Sequence, residues 1–414
     1  MFSSSYFEFS SPVKIVAGHH ALEHLNSALG QMGTSCPMIV TDRGVAAAGL
    51  VRLVSERMTT PLEVGGVADD VPPDSEIEVV NRIAEQYRQN RCDGLIAIGG
   101  GSVLDTAKGV NILVSEHGDD LARFAGKGML RRPLKPLVAI PTTGSGSEVT
   151  MTAVIKDRRK KTKRLFVSEF LVPRMAILDP RMTLTLPLTV TAATAMDALC
   201  HAMESYYCLA KNPISDSHAL KAIEMTRDNL PRVMANPEDS DARLALALAA
   251  SLAGSAFSNS MVGMVHAISH CLGSICGVPH GVGNAVMLPY GLEYNLHKRS
   301  QEIGELLLPL AGPEIYHGTS SHLRAQKTVA AVRNLNQRLH EITAGKHPRN
   351  LKEIVNRQGN RLVTEEQMAD IALKSIGDGA MFYNPEEMDE ADCILILKHA
   401  FKGIPLDNKL VYKG

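Results

Sequence analysis

The sequence predicts an α/β domain built on a parallel sheet, followed by an all-helical domain. In the first part of the chain, short β-branched runs alternate with segments of helical spacing, which favours a parallel sheet covered by helices on both faces. After LTLPLTV (Leu184–Val190) the chain is rich in Ala, Leu and Met and has helical periodicity. Its 414 residues suffice for two substantial cores, which we predict over residues 1–187 and 188–414.

Apolar, β-branched runs define the strands of the first domain. Between the second and third of them, SEIEVVNRIAEQYRQN (Ser75–Asn90) has apolar residues at helical spacing. Two of the strands run directly into glycine-rich turns. In chain order, the predicted strands are MIVTD (Met38–Asp42), PLEVGGV (Pro61–Val67), GLIAIGGGS (Gly94–Ser102), PLVAIPTTGSGSE (Pro136–Glu148, strand then loop) and MAILDP (Met175–Pro180).

Buried helices are predicted for the second domain. The segment Ala242–Ser274 is apolar on nearly every face, which is typical of one or two helices buried in a core. No internal repeat and no low-complexity linker separates the two halves of the chain. We therefore expect the domains to pack tightly, with a substrate cleft between them.

Composition and charge exclude several classes of protein. The formal net charge is −1, so no global field draws the chain to nucleic acid or to an anionic membrane. No apolar run approaches the roughly 18 residues of a membrane span, and the N-terminus lacks the features of a secretory signal. The 7 cysteines form no CxxC pair, which indicates reduced thiols of a cytoplasmic protein.

Two glycine-rich turns and one aspartate indicate a dinucleotide site. GGGS (Gly99–Ser102) opens a helix and could hold a pyrophosphate, although a tight strand-to-helix connection needs the same residues. TTGSGSE (Thr142–Glu148) is a second such loop after a strand. Asp42 would bond an adenosine ribose and repel a 2′-phosphate, which favours NAD over NADP; a plain helix N-cap is the alternative. The basic run Asp157–Arg164 is predicted to be a solvated turn that could reach cofactor phosphates.

Polar residues on apolar helical segments indicate a metal site. Asp197 and His201 lie four positions apart and share a helix face, as do His266 and His270. His280 follows a loop that could fold back over the end of the preceding helix. Such groups need partners when buried, and one divalent ion satisfies several at once. A carboxylate with imidazoles suits Zn²⁺ or Fe²⁺.

Together these motifs resemble those of the iron-containing (group III) alcohol dehydrogenase family. The similarity extends from about Lys14 to Phe401, and the two histidine-containing motifs are its most specific part. The matching motifs are GGGSVLDTAK (Gly99–Lys108), PTTGSGSE (Pro141–Glu148), AILDP (Ala176–Pro180), MDALCHAME (Met196–Glu204) and GMVHAISHCLGSICGVPHG (Gly263–Gly281).

The resemblance implies a dinucleotide-binding α/β domain, an all-α metal-binding domain, and hydride transfer between NAD or NADP and a primary or secondary alcohol or aldehyde. It implies Fe²⁺ or Zn²⁺ held by Asp197, His201, His266 and His280, with His270 near the nicotinamide as a proton relay. The residues that match cofactor contacts are Asp42, Gly100, Gly101, Ser102, Thr142, Thr143 and Lys163. We also expect a cytoplasmic homo-oligomer, a dimer, with no nucleic-acid or membrane partner.

Departures from the family and other interpretations stay open at this point. VPPDSE (Val71–Glu76) replaces a PNPT-like segment, and residues 344–367 and the tail from Lys402 differ from the family. One alternative is a lyase similar to dehydroquinate synthase, which cycles its NAD internally and uses glutamate in place of Asp197. Others are a glycerol-dehydrogenase-like relative and a non-catalytic metal- or nucleotide-binding protein. His270 disfavours the last, because a fifth polar group beside four ligands suggests chemistry.

Overall fold

The computed structural model describes residues 6–60, 62–159 and 162–407. Its strands are β1 (Lys14–Ala17), β2 (Pro37–Val40), β3 (Gly66–Ala68), β4 (Gly94–Gly99), β5 (Gly126–Lys127), β6 (Leu137–Pro141), β7 (Thr152–Asp157), β8 (Thr162–Val167) and β9 (Met175–Leu178). Its α-helices are α1 (Leu25–Gln31), α2 (Arg43–Ala47), α3 (Leu50–Ser55), α4 (Ile77–Gln89), α5 (Gly101–Ser115), α6 (Leu188–Tyr207), α7 (Pro213–Ala235), α8 (Ser240–Ser260), α9 (Met264–Cys276), α10 (His280–Glu305), α11 (Leu307–Ala311), α12 (Pro313–Gly318), α13 (Arg324–Ile342), α14 (Met368–Ile376) and α15 (Glu390–Lys402).

A six-stranded parallel sheet with the order β1-β9-β6-β4-β2-β3 dominates the first half of the chain. Strands β9, β6, β4 and β2 are buried along their whole length, as expected when helices cover both faces. These four strands and α4 form within the segments where the sequence predicted strands and a helix, which confirms those predictions. Of the predicted strand Pro61–Val67, only Gly66 and Val67 belong to a strand, β3. Pro61 lies outside the described residues.

Alternate residues of β4 enter two separate apolar cores. Leu95 and Ala97 pack in the core that contains side chains of α4 and α5. Ile96 and Ile98 pack in the other core, with side chains of α1 and α3. This division follows from the two-residue period of a strand. The sheet is therefore held between two helical layers, and its strand ends stay at fixed positions.

A second, three-stranded sheet was not predicted. It has the order β5-β8-β7, and β7 pairs antiparallel with β8 from Thr152 opposite Val167 to Asp157 opposite Thr162. The basic run predicted as a turn therefore spans the end of β7 and the start of β8, and Lys160 and Lys161 within it lie outside the described residues. Charged residues occur on both faces of these strands, since Asp157 is buried and Arg164 lies opposite Ile155. The alternation of apolar and polar residues is therefore absent from the hydrophobicity pattern.

The described residues form two compact units. One comprises residues 10–186 with 237–258, and the other residues 6–9, 187–236 and 259–407. The predicted segment Ala242–Ser274 forms two helices, α8 and α9, and most of α8 belongs to the unit that contains the sheets. The second unit is helical, which confirms the predicted α/β and all-α fold class. The domain boundary at residue 187 stays a prediction.

Close backbone approach attaches α8 to the loop after β6. Gly146 has a left-handed φ of +79°, and a Cβ there would lie 2.9 Å from the Ala250 carbonyl oxygen. A Cβ on Gly254 would in turn lie 2.7 Å from the Gly146 carbonyl oxygen. The Ser251 hydroxyl donates to Glu148 Oε1 over 2.6 Å. The end of the loop at residues 142–148 is therefore held against α8.

By length and hydropathy, no single described helix qualifies as a membrane span; α8 and α9 do so only when taken as a bent pair.

Candidate metal centre and cofactor loops

Four predicted ligands converge within the helical unit. Asp197 and His201 lie one turn apart on α6, His266 lies on α9, and His280 is the first residue of α10. From Asp197 Oδ1, the Nε2 atoms of His201, His266 and His280 lie at 4.0, 3.9 and 3.6 Å. All four ligand atoms are within 4.8 Å of one another. One carboxylate and three imidazoles at this separation fit a single Fe²⁺ or Zn²⁺ ion.

The loop between α9 and α10 delivers His280 to this group. Gly277 ends α9 with a left-handed φ of +71°, and Pro279 precedes the first turn of α10. Gly281 then lies so close to α6 that a Cβ would be 2.6 Å from the Ala193 carbonyl oxygen. Glycine is therefore required at position 281 for α10 to reach the face of α6 that carries Asp197.

Burial and mutual proximity set the protonation of these four side chains. Asp197, His201 and His266 are buried, and burial lowers the pKa of all three histidines of the group. Burial alone would raise the pKa of Asp197, but the adjacent imidazoles hold it below its ordinary value. At neutral pH the cluster therefore presents a carboxylate and neutral imidazoles, which are the forms that bind a metal ion.

Asn284 contacts this group, although the sequence reasoning did not include it. It lies one turn after His280 and is completely buried. Its Nδ2 lies 2.6 Å from Asp197 Oδ1 and 3.1 and 3.2 Å from Nε2 of His266 and His280. Its Oδ1 is buried without a hydrogen-bond partner among the described residues. The available signal was its spacing of four residues from His280 on an apolar helix.

His270 lies beside the four predicted ligands and not among them. Its ring stacks on that of His280, with centroids 5.5 Å apart and planes at 12°. Its Nδ1 lies 3.0 Å from Asp378 Oδ2, and its side chain is 28% exposed. Burial alone would raise the pKa of Asp378, but the contact with His270 keeps it below its ordinary value. His270 thus has an orienting carboxylate, which the sequence did not reveal.

Six of the seven predicted cofactor residues lie at the carboxyl ends of neighbouring strands in the other unit, and Lys163 lies within β8 of the three-stranded sheet. Asp42 follows β2, Gly100 to Ser102 follow β4, and Thr142 and Thr143 follow β6. Strand β2 pairs with β3 on one side and β4 on the other, so the strand order reverses there. Ligands of parallel α/β sheets bind at such a reversal. The arrangement therefore supports the predicted dinucleotide site.

Glycine is required in the turn after β4. A Cβ on Gly99 would lie 2.6 Å from the Val103 side chain, and a Cβ on Gly100 would lie 2.9 Å from Thr143 Oγ1. Gly101 begins the 15-residue helix α5, whose first amide groups have no helical partner. The turn therefore brings bare backbone and a helix N-terminus to the strand ends, as phosphate binding needs.

Several of these side chains have protein partners. Asp42 caps α2, with Oδ1 accepting from the Val45 amide over 2.9 Å. The Ser102 hydroxyl donates to the Pro73 carbonyl, and Lys163 Nζ lies 3.4 Å from Asp74 Oδ1. The segment VPPDSE, which departs from the family pattern, therefore packs against two predicted cofactor residues. Their contacts to a cofactor stay predictions.

Adding one methyl group at Gly281 is expected to weaken metal binding without altering a ligand. Gly281→Ala places Cβ against the Ala193 carbonyl oxygen, so the start of α10 and His280 must shift. We expect about 10-fold weaker metal affinity and about 1–3 kcal/mol lower stability. Chelator competition and thermal unfolding measure both. Gly30→Ala is the control, because nothing lies within 4 Å of a Cβ there; equal metal affinity in the two variants would contradict the prediction.

Comparison with known proteins places the chain in a family. The model described as iron-containing alcohol dehydrogenase matches residues 12–180, and that of the family's C-terminal part matches residues 191–401. A NAD-dependent methanol dehydrogenase of Bacillus methanolicus is 32% identical over 393 residues, covering 95% of this chain and 99% of that protein. A 1,3-propanediol dehydrogenase of Klebsiella pneumoniae is 34% identical over 399 residues, with coverage of 95% and 99%.

Solved structures agree with this assignment. An alcohol dehydrogenase from Oenococcus oeni superposes with a TM-score of 0.88 at 31% identity, covering 96% of this chain and 100% of that one. A 1,3-propanediol oxidoreductase gives a TM-score of 0.86 at 32% identity, with coverage of 96% and 100%. The match of both family models and of full-length relatives means that this chain belongs to the iron-containing alcohol dehydrogenase family.

Proposed function

We propose that this protein is an alcohol dehydrogenase that transfers a hydride between NAD and a small primary or secondary alcohol, or the corresponding aldehyde or ketone. One Fe²⁺ or Zn²⁺ ion would be held by Asp197, His201, His266 and His280. The observation that carries the proposal is the convergence of these four side chains, all with ligand atoms within 4.8 Å of one another. The names of the relatives, a methanol dehydrogenase and a 1,3-propanediol dehydrogenase, support small alcohols as substrates.

The reaction oxidises RCH₂OH with NAD⁺ to RCHO, NADH and one proton. Asp197, His201, His266 and His280 would hold the divalent ion, which would supply Lewis acidity toward the hydroxyl group. The loops after β4 and β6 would hold NAD⁺, which would supply the hydride acceptor. His270 is suited to move the released proton. With hydrogen on Nδ1, His270 donates to Asp378 Oδ2 over 3.0 Å. Its Nε2 then has a lone pair that can accept a proton. The partial exposure of His270 then gives that proton a way to solvent.

Asp42 is proposed to select NAD over NADP. Its carboxylate lies at the carboxyl end of β2, beside the reversal of strand order, where an adenosine ribose would bind. A 2′-phosphate at that position would meet a like charge. The structure gives the same side chain a second role as the N-cap of α2, so a test must separate charge from capping.

The substitution Asp42→Ser makes that separation. Serine also caps a helix but carries no charge, so the fold of α2 is retained while repulsion of the 2′-phosphate is lost. We expect the ratio of kcat/KM for NADP to that for NAD to rise by about 10-fold or more. Asp119→Ser, an exposed aspartate of the same unit, is the control and should leave the ratio unchanged. A strong preference of the unmodified protein for NADP would refute the role of Asp42.

An assay of NADH formation tests the proposed function. The protein, reconstituted with Fe²⁺ or with Zn²⁺, is given a panel of small alcohols with NAD⁺, and absorbance is followed at ~340 nm, where reduced nicotinamide absorbs. Net NADH formation is expected, and it excludes an internally cycling lyase similar to dehydroquinate synthase. No turnover of any alcohol or aldehyde with either metal and either cofactor would favour the non-catalytic interpretation.

A further inference from the structure

Glu204 is a buried carboxylate that contacts a predicted metal ligand from the side away from the metal. It lies on α6, three residues after His201, and has no exposed surface. Its Oε2 lies 2.5 Å from Nδ1 of His266. The His266 Nε2 atom, on the opposite side of the same ring, is the one 3.9 Å from Asp197 Oδ1. Glu204 therefore acts on the ring without being one of the four converging ligands.

Backbone groups fix the position of this carboxylate. The Val265 amide donates to Oε1 over 2.9 Å, and the His266 amide lies 3.4 Å from Oε2. Both amides belong to the first turn of α9, whose N-cap, Gly263, has no side chain to cap it. A Cβ on Gly263 would lie only 3.1 Å from Glu204 Oε1. The carboxylate thus takes the place of an N-cap and lies at the positive end of the α9 dipole.

This hydrogen-bond pattern determines which nitrogen of His266 carries the proton. Each oxygen of Glu204 faces an amide N–H, so the carboxylate acts as an acceptor at both ends. With Glu204 ionised, the Nδ1 atom that faces it carries the hydrogen, which leaves Nε2 unprotonated. The neighbouring Cys200 thiol is a weaker competitor, because its sulfur lies 3.9 Å from Nδ1.

We propose that Glu204 is a positioning residue that holds His266 in the Nδ1-protonated tautomer, so that Nε2 faces the metal ion. This inference rests on the proposed metal site. A negative charge at Nδ1 also raises the basicity of the imidazole, and loss of such a partner typically lowers metal affinity by about 10- to 100-fold. Because Glu204 caps α9 as well, the same carboxylate sets both the direction of the ring and the position of its helix.

The substitution Glu204→Gln separates this role from packing. Glutamine has the same shape, but its amide can accept at only one of the two ends. In one orientation, the NH₂ group faces His266 Nδ1 and favours the tautomer with hydrogen on Nε2. In the other orientation, the NH₂ group faces the Val265 N–H, and two donors then oppose each other. We expect zinc affinity, measured by chelator competition, to fall about 10- to 100-fold. Tyr207→Phe is the matched control, since that hydroxyl bonds Glu204 Oε1 at 3.4 Å but does not contact His266.

A measurement on the unmodified protein keeps the inference testable if Glu204→Gln does not fold. In metal-free protein with ¹⁵N-labelled histidine, the His266 signals are identified by their loss in metal-free His266→Gln. We expect hydrogen on Nδ1 and none on Nε2; hydrogen on Nε2 would overturn the role of Glu204. Unchanged zinc affinity in a folded Glu204→Gln variant would do the same while leaving the metal site intact. Failure of the unmodified protein to bind zinc or iron would instead overturn the proposed function, and this inference with it.

Discussion

Replacing His266 with alanine is expected to remove tight metal binding and to lower kcat/KM for alcohol oxidation by at least about 10³-fold. His266 is one of the four converging side chains proposed to hold the metal, it is almost completely buried, and its Nε2 lies 3.9 Å from Asp197 Oδ1. Alanine removes one ligand and leaves Glu204 and Asp197 facing a cavity. Metal content after dialysis against a chelator and the rate of NADH formation measure the two effects.

The control for this prediction is His317→Ala. His317 is exposed and lies on α12, outside the metal group, so its loss should change neither metal content nor rate. A His266→Ala protein that keeps full activity after removal of metal would show that these four residues are not the catalytic metal site. A variant that keeps its metal but loses activity would instead indicate a role of His266 in the reaction beyond metal binding.

Replacing His270 with alanine is expected to lower kcat by about 10²- to 10³-fold while the metal content stays unchanged. The His270 ring stacks on that of His280 at a centroid distance of 5.5 Å, and its Nδ1 lies 3.0 Å from Asp378 Oδ2. It is therefore placed to carry a proton and not to hold the ion. Steady-state rates and metal analysis of the same sample distinguish these two functions.

Added imidazole gives a second readout for His270. A small base that enters the space left by the ring should restore part of the rate in His270→Ala, and should have no such effect in His266→Ala, where the metal is lost. Loss of metal from His270→Ala to the same degree as from His266→Ala would contradict the assignment. His270 would then be a ligand, and the proton path proposed here would be wrong.

Local spacing explains why the approach of Asp197 and His201 to each other could be predicted from the sequence, whereas the family resemblance supplied His266 and His280 as the other predicted ligands. Asp197 and His201 are four residues apart, and a helix of any origin places them on one face. The buried strands could also be predicted from the sequence, because β4 and β6 are continuous apolar runs that end at a glycine and at a proline. In both cases the signal lies within a few residues of the feature that it predicts.

The partners of these residues could not be predicted, because they are distant in the chain. Asp378 lies 108 residues from His270, and Glu204 lies 62 residues from His266. Glu204 even falls within the MDALCHAME motif, yet its contact depends on how α6 packs against α9. The sequence did carry a signal for Asn284, because it follows His280 by one helical turn. That signal is weak, because an asparagine on an apolar helix has many possible explanations.

A titration of metal against activity in one sample shows directly whether the reaction depends on an ion bound at this group. Metal-free protein receives increasing Fe²⁺ or Zn²⁺, and bound metal and NADH formation from a small alcohol are measured at each step. Activity is predicted to rise in proportion to bound metal and to reach its maximum at one ion per chain, the number that the group of Asp197, His201, His266 and His280 can hold. Full activity in metal-free protein, or activity that does not follow bound metal, would contradict this account.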